Sequence, residues 1–214
     1  MRVVVGSGNS RDLRQVERDR HLHMMSRFVE QARDESEAGE ARALTMILRS
    51  ASSGPAKALL DLKDALAAAG VTAKVVLAKL EPEDDLKQLF AGLRELDPRM
   101  AANEIIRWAR NSRLLDAHEQ VTFGATMCWS GDAMRRDADK RNALTLFHEG
   151  APDTVRLGRL AFEALWSAST LVPERRLLGS TTAKPSGAYE RGGDVPAAVS
   201  PVRAILQGWP LVRH

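Results

Sequence analysis

Apolar residues change their spacing several times along this chain, and each change marks a new element. From Arg11 to about Ala38 they recur loosely at Leu13, Val16, His23, Phe28, Val29 and Ala32, which predicts a long, charge-rich helix ended by Gly39. Ala41 to Arg49 is short, apolar and flanked by turn residues, the pattern of a buried strand. Ser50 to Pro55 reads as a loop, with Pro55 suited to the first turn of a helix because its missing N–H costs nothing there. Ala56 to Ala69 (AKALLDLKDALAAA) is amphipathic at helical spacing, and Gly70 closes it in a left-handed conformation. Val71 to Leu80 alternates and is β-branched, so it predicts a strand. Strand, crossover helix and strand make one right-handed βαβ unit with parallel strands. Glu81 to Leu96 starts acidic, as a helix N-terminus favours, and stops at Asp97-Pro98.

Beyond Pro98 the apolar runs shorten. Glu104–Trp108, Gln120–Phe123, Ala125–Trp129 and Asn142–Phe147 are predicted strands. Ala151 to Ser169 returns to helical spacing, with Leu157, Leu160, Ala161, Ala164, Leu165 and Ala168 on one face. At the amino terminus, Met1 to Val5 reads as a short strand and Gly6 to Asn9 as a turn. Arg11 stands where a dinucleotide-binding loop would need its third glycine, so a turn with a helix cap is the better reading. Past Leu178 the composition shifts to Gly, Ser, Pro and Ala, and residues 179–193 read as a disordered linker. A short apolar piece between Val195 and Val212 would dock back or meet a partner. The expected organisation is therefore an N-terminal strand and helix over residues 1–38 that packs on the core, an α/β domain over 39–178 and a flexible tail over 179–214. The fold class is α/β, a mixed β-sheet flanked by helices.

Composition narrows this only slightly. The chain has 214 residues, long enough for one well-filled core. Aromatics make up 5%, so Ala, Leu and Val carry most of the packing, with Trp108, Trp129 and Trp166 as natural core fill. A formal charge of +3 and a pI near 9.3 permit phosphate-bearing partners without requiring them. Cys128 is the only cysteine, which excludes an intrachain disulfide and fits a reducing, cytoplasmic setting. No apolar run approaches the roughly 20 residues needed to span a bilayer.

Most candidate chemistry lies between Leu114 and Phe147, which holds His118, Gln120, Ser130, Asp132, Arg135, Arg136 and Asn142. His118-Glu119-Gln120, Trp129-Ser130-Gly131-Asp132, Arg135-Arg136 and Asn142 to Phe147 resemble, in that order, the His-x-Lys and Gly-Ser-x-Asn signature of the phospholipase D-like superfamily and the strand after it. Ala161 to Trp166 is similar to that family's closing helix. The resemblance covers roughly residues 40–170 and implies one phospholipase D-like repeat. It implies a phosphodiesterase site with His118 as nucleophile, Ser130, Gln120 and Asp132 beside it, and Arg135, Arg136 and Asn142 holding phosphate. It also implies a homodimer, because members with one motif per chain pair two histidines across two chains. Gln120 for Lys and Asp132 for Asn each weaken phosphate binding, by a lost charge-assisted contact and by repulsion. Ala125 stands at the family's Asp position, leaving Glu119 or Asp116 to orient the imidazole.

The expected function is thus a degenerate phosphodiesterase site that binds a phosphate-containing ligand such as nucleic acid. Two alternatives stand beside it: an active phosphodiesterase or nuclease using His118 across a homodimer, and a non-catalytic structural or adaptor protein. Each residue also has a plainer reading. His118 satisfies a hydrogen bond at a strand end. Arg135, Arg136, Lys140 and Arg141, interleaved with Asp137 and Asp139, form a solvated face. Cys128 is buried and inert. His21 and His23, two apart on a helix, face different sides and read as surface or boundary residues. No cluster has metal-ligand spacing, so neither a metal nor a cofactor is expected.

Overall fold

Seven strands form one mixed sheet in the order β6-β5-β4-β1-β2-β3-β7. The computed structural model describes residues 10–34, 39–111, 118–134 and 145–178. The predicted strand at residues 1–5, the basic run at 135–141 and the tail from 179 therefore lie outside the described residues. The first helix, α1, spans Ser10–Asp34, and a 3-10 turn at Glu40–Arg42 leads into β1, Ala43–Leu48. α2 (Gly54–Asp61) and α3 (Lys63–Ala68) cross to β2, Thr72–Leu77, which lies parallel to β1 as the βαβ reading requires. α4 (Glu83–Leu96) and α5 (Ala102–Ile105) lead to β3, Ile106–Trp108, parallel to β2.

The chain then returns to the other side of β1. β4 (Glu119–Phe123) pairs antiparallel with β1, β5 (Met127–Gly131) with β4, and β6 (Thr145–His148) with β5. α6 (Pro152–Ala168), β7 (Thr170–Leu171) and α7 (Glu174–Leu177) complete the described chain, with β7 antiparallel to β3. The hairpin joining β4 to β5 turns at Gly124, whose φ is +55°. A Cβ there would also stand 2.7 Å from the carbonyl oxygen of Ala41, so both backbone angle and space call for glycine.

The strand period of two sorts β1 between two cores. Leu44, Met46 and Leu48 join a large cluster with Met24, Met25, Phe28, Val29 and Ala32 of α1 and the apolar faces of α2 and α4. Ile47 joins a smaller cluster on the other face, formed with Val76, Met134 and Phe162, Leu165 and Trp166 of α6. Helices thus cover both sides of the sheet, and the long α1 belongs to the main core.

Three expectations are corrected here. The predicted helix over 56–69 is two helices hinged at Leu62, whose N–H is shared between the carbonyls of Ala58 and Leu59. The first half of the predicted strand 104–108 is a helical turn. α6 buries Val155, Gly158, Phe162, Leu165 and Trp166 and leaves Leu157 and Leu160 63% and 62% exposed. The cause is Gly158, which lets the helix close on β4. A Cβ at that position would overlap the side-chain amide of Gln120. Arg159 then locks the helix by donating from Nη2 to the carbonyls of Gly124 (2.8 Å) and Glu40 (2.7 Å).

Candidate functional site: a polar pocket at the carboxyl end of β1

Strand order reverses at β1, with β2 and β3 on one side and β4 to β6 on the other. In open α/β sheets this is where ligands bind, outside the carboxyl ends of the parallel strands. Here the chain leaves β1 through Arg49-Ser50-Ala51-Ser52-Ser53 and enters α2 at Gly54. A pocket of about 520 Å³ opens at this point, between the serine loop, the first half of α1 and the start of β4. That volume falls within the usual range of ligand sites, roughly 300–1,000 Å³.

Glu119 anchors the pocket. It is the first residue of β4 and only 3% exposed, yet it is a carboxylic acid. Its Oε1 accepts a hydrogen bond from the backbone N–H of Arg49 (2.8 Å) and another from the Ser53 hydroxyl (2.6 Å). Ser53 occupies the N-cap position of α2, but its side chain makes no cap hydrogen bond; its hydroxyl donates to Glu119. Arg49 ties the same edge to the loop after β5, donating from Nη1 to the carbonyl of Ala133 at 2.7 Å. Ser50 and Ser52 bond to each other through their hydroxyls at 2.8 Å. Burial pushes the Glu119 carboxyl above its ordinary range; the bonds from Ser53 and Arg49 oppose that shift, and the nearby Glu17 adds to it.

Glu17 reaches the same pocket from α1. Its carboxyl is also raised, first by burial and then by the charge of Asp132. Asp132 is itself 1% exposed at the end of β5. Carboxyl groups from three separate elements therefore act on one another at this edge.

His21, one turn along α1 from Glu17, lines the pocket at 3% exposure. This corrects the surface reading of that histidine, since tertiary packing turns it inward. Its ring meets Trp129 edge-on, with centroids 4.7 Å apart and planes at 81°. On the other side Gly54 presses against it, and a Cβ there would stand 2.7 Å from Nδ1. Both ring nitrogens are buried without a hydrogen-bond partner. Burial first, and then the charge of Arg20, lowers its pKa from 6.5 to about 4, so the imidazole is neutral near pH 7. Each unmet buried polar atom costs on the order of 1–3 kcal/mol.

The residues expected to form the site from sequence fall as follows. His118 is exposed, just before β4. Gln120 and Ser130 are direct partners across the β4–β5 ladder, on the sheet face covered by α6. Gln120 donates to the sulfur of Cys128 at 3.6 Å and lies against Gly158. Asp132 sits buried at the same edge as the pocket. Arg135, Arg136, Asn142 and Asp116 lie outside the described residues. Cys128 is 2% exposed, and burial pushes its thiol pKa up.

The sequence reading missed His21 and Ser53 and took Glu119 only as a substitute orienter. The one signal for this site was the serine-rich loop between an apolar strand and a proline-started helix. Glu119 lies 66 residues after Ser53, and no local pattern joins them. Among the described residues, no group of three or more His, Cys, Asp or Glu side chains is arranged to hold a metal ion. No helix among them is long and apolar enough to cross a membrane.

No protein-family model matches this chain, and no curated protein does. Among solved structures it is similar to TrmBL2, described as an archaeal chromatin protein that shows a novel mode of DNA binding. The TM-score is 0.42 and the identity 15%, over 71% of this chain and 52% of that one. The chain thus spans about half the length of the structure it matches. These findings correct the expected family. Neither the phospholipase D-like resemblance nor the phosphodiesterase activity drawn from it finds support in any comparison, and both are set aside.

Proposed function

We propose that this chain is a non-catalytic binding or adaptor domain, with its ligand site in the pocket at the carboxyl end of β1. The observation that carries this reading is the use of Ser53. Its hydroxyl donates to a buried carboxyl oxygen that also accepts the Arg49 N–H, and these two bonds tie the β1–α2 loop to β4 and hold the pocket in shape. No hydrogen bond connects His21 to Ser53 or Glu119. The test has two arms. A thermal-shift survey of polar small molecules should raise the melting temperature of the full chain, and Ser53→Ala should abolish that response. Bis(p-nitrophenyl) phosphate should be hydrolysed at the same background rate by wild type and His118→Ala. Turnover that disappears in His118→Ala would overturn the reading.

Nucleic acid is a second proposed partner, on sequence grounds alone: the run Arg135, Arg136, Lys140 and Arg141 and a pI near 9.3. Affinity for duplex DNA should then fall with salt, and Arg135→Ala with Arg136→Ala should reduce the log–log slope by about 1–2. A salt-independent affinity would remove nucleic acid from the account. Self-association is proposed separately, through the outer face of α6 where Leu157 and Leu160 are exposed. Light scattering should find a dimer that Leu160→Glu dissociates, and a wild-type monomer at micromolar concentration would refute it.

A further inference from the structure

We propose that this pocket recognises its ligand through a protonated amine, seated between the carboxyl groups of Glu119 and Glu17. The proposal rests on the binding-domain reading and names the chemistry of the ligand. Glu119 spends one oxygen on Arg49 and Ser53, and the other takes neither bond. Glu17 faces the same space from α1, and among the described residues neither carboxyl forms an ion pair. Of the basic groups lining the pocket, Arg18 pairs with Asp61 at 3.0 Å, and Arg49 feels Glu119 but gives its Nη1 to the Ala133 carbonyl. Lys57 is exposed. Two acids that repel each other in a partly dry site are stabilised together by one shared cation.

His21 supplies an independent observation. It is buried, lines the same pocket and has two ring nitrogens without partners. A neutral imidazole has one nitrogen able to accept an N–H, and its weak basicity keeps it from taking the proton of an ammonium. An anion fits the site less well. A phosphate at the start of α2 would draw on the Ser53 hydroxyl, which already donates to Glu119, and its oxygens would face two carboxyl groups.

Calorimetric titration of the full chain tests this with six probes: putrescine, L-arginine, ethanolamine, choline, inorganic phosphate and AMP. Primary amines and the guanidinium of arginine should bind, and choline, which has no N–H, should bind about tenfold or more weakly. Binding at mildly acidic pH should release protons, seen as a dependence of the measured heat on buffer ionisation, because the cation adds to the charges of Arg18, Arg49 and Lys57 in drawing Glu119 and Glu17 toward their charged forms, against burial and the repulsion between the two acids. Glu119→Gln should weaken amine binding about tenfold or more. Glu17→Gln, on α1 and half-exposed, should do the same with an unchanged far-ultraviolet circular dichroism spectrum, so the test stands if Glu119→Gln does not fold. Phosphate or AMP bound in preference to the amines, and more tightly by Glu119→Gln, would overturn the cation assignment and leave the binding-domain reading intact. Silence from all six probes would overturn both.

Discussion

His21 ties the pH response of this protein to one side chain. In the folded chain it takes its proton only near pH 4, whereas the unfolded chain takes it near 6.5. Between those values the unfolded state binds more protons, so stability falls as pH drops through the window. A shift of that size corresponds to about 3 kcal/mol at full expression. Urea unfolding from pH 7 to 4 should show this loss, and His21→Leu should remove most of it. Glu119 works in the opposite sense. Its raised pKa favours the fold below its ordinary value of 4.5, and that advantage is lost as pH rises through the folded value. A second residue-scale prediction concerns Gly158. Gly158→Ala should cost about 1–3 kcal/mol by overpacking against Gln120. Gln120→Ala should recover much of that cost in the double variant. Additive costs in the denaturation midpoints would show that the two residues do not touch.

Among the elements, α1 is the one whose sequence says least about how deeply it is buried. Its apolar stripe is loose and its residues mostly charged, yet Met24, Met25, Phe28, Val29 and Ala32 are all buried against the sheet. Phe28 lies edge-to-face on Phe123 of β4, with centroids 5.8 Å apart. Phe28→Ala should therefore destabilise the whole domain by about 3–5 kcal/mol, as core truncation does and surface truncation does not. A change below about 1 kcal/mol in guanidinium unfolding would mean that α1 is an accessory arm. In contrast, α4 was legible as an element at both ends, to within two residues. Its acidic first turn and its end at Leu96, before Asp97-Pro98, follow the expectation, and Leu86, Leu89, Phe90 and Leu93 form its buried face. α6 was legible as a helix but misread as to its face. Alanines and leucines recur on two sides of it, so periodicity admits two orientations, and the close approach at Gly158 selects one.

At the scale of the molecule, the sheet is unevenly defended. β1, at the centre, is paired on both sides along its length and covered by helices on both faces. β6 and β7 are edges, with β6 half-buried throughout and β7 exposed. Amide hydrogen exchange should accordingly be slowest in β1, β2 and β4 and fastest in β6 and β7. Protection in β6 equal to that in β1 would contradict this and point to a partner pairing on that edge.

The sequence by itself determined the local elements: the long first helix, the βαβ unit from Ala43 to Leu77, the Gly70 stop and the strand character of β4 and β5. Their apolar spacing and turn residues lie a few positions apart in the chain, and the right-handed crossover rule joins the two parallel strands. Only the tertiary structure decided that the chain doubles back to set β4 beside β1. That return brings Glu119 to Ser53 and Arg49, and His21 to Gly54 and Trp129. A buried carboxyl group and a buried imidazole look like any other acid and histidine in a linear chain. Their chemistry comes from the water that folding removes and from neighbours far away in sequence.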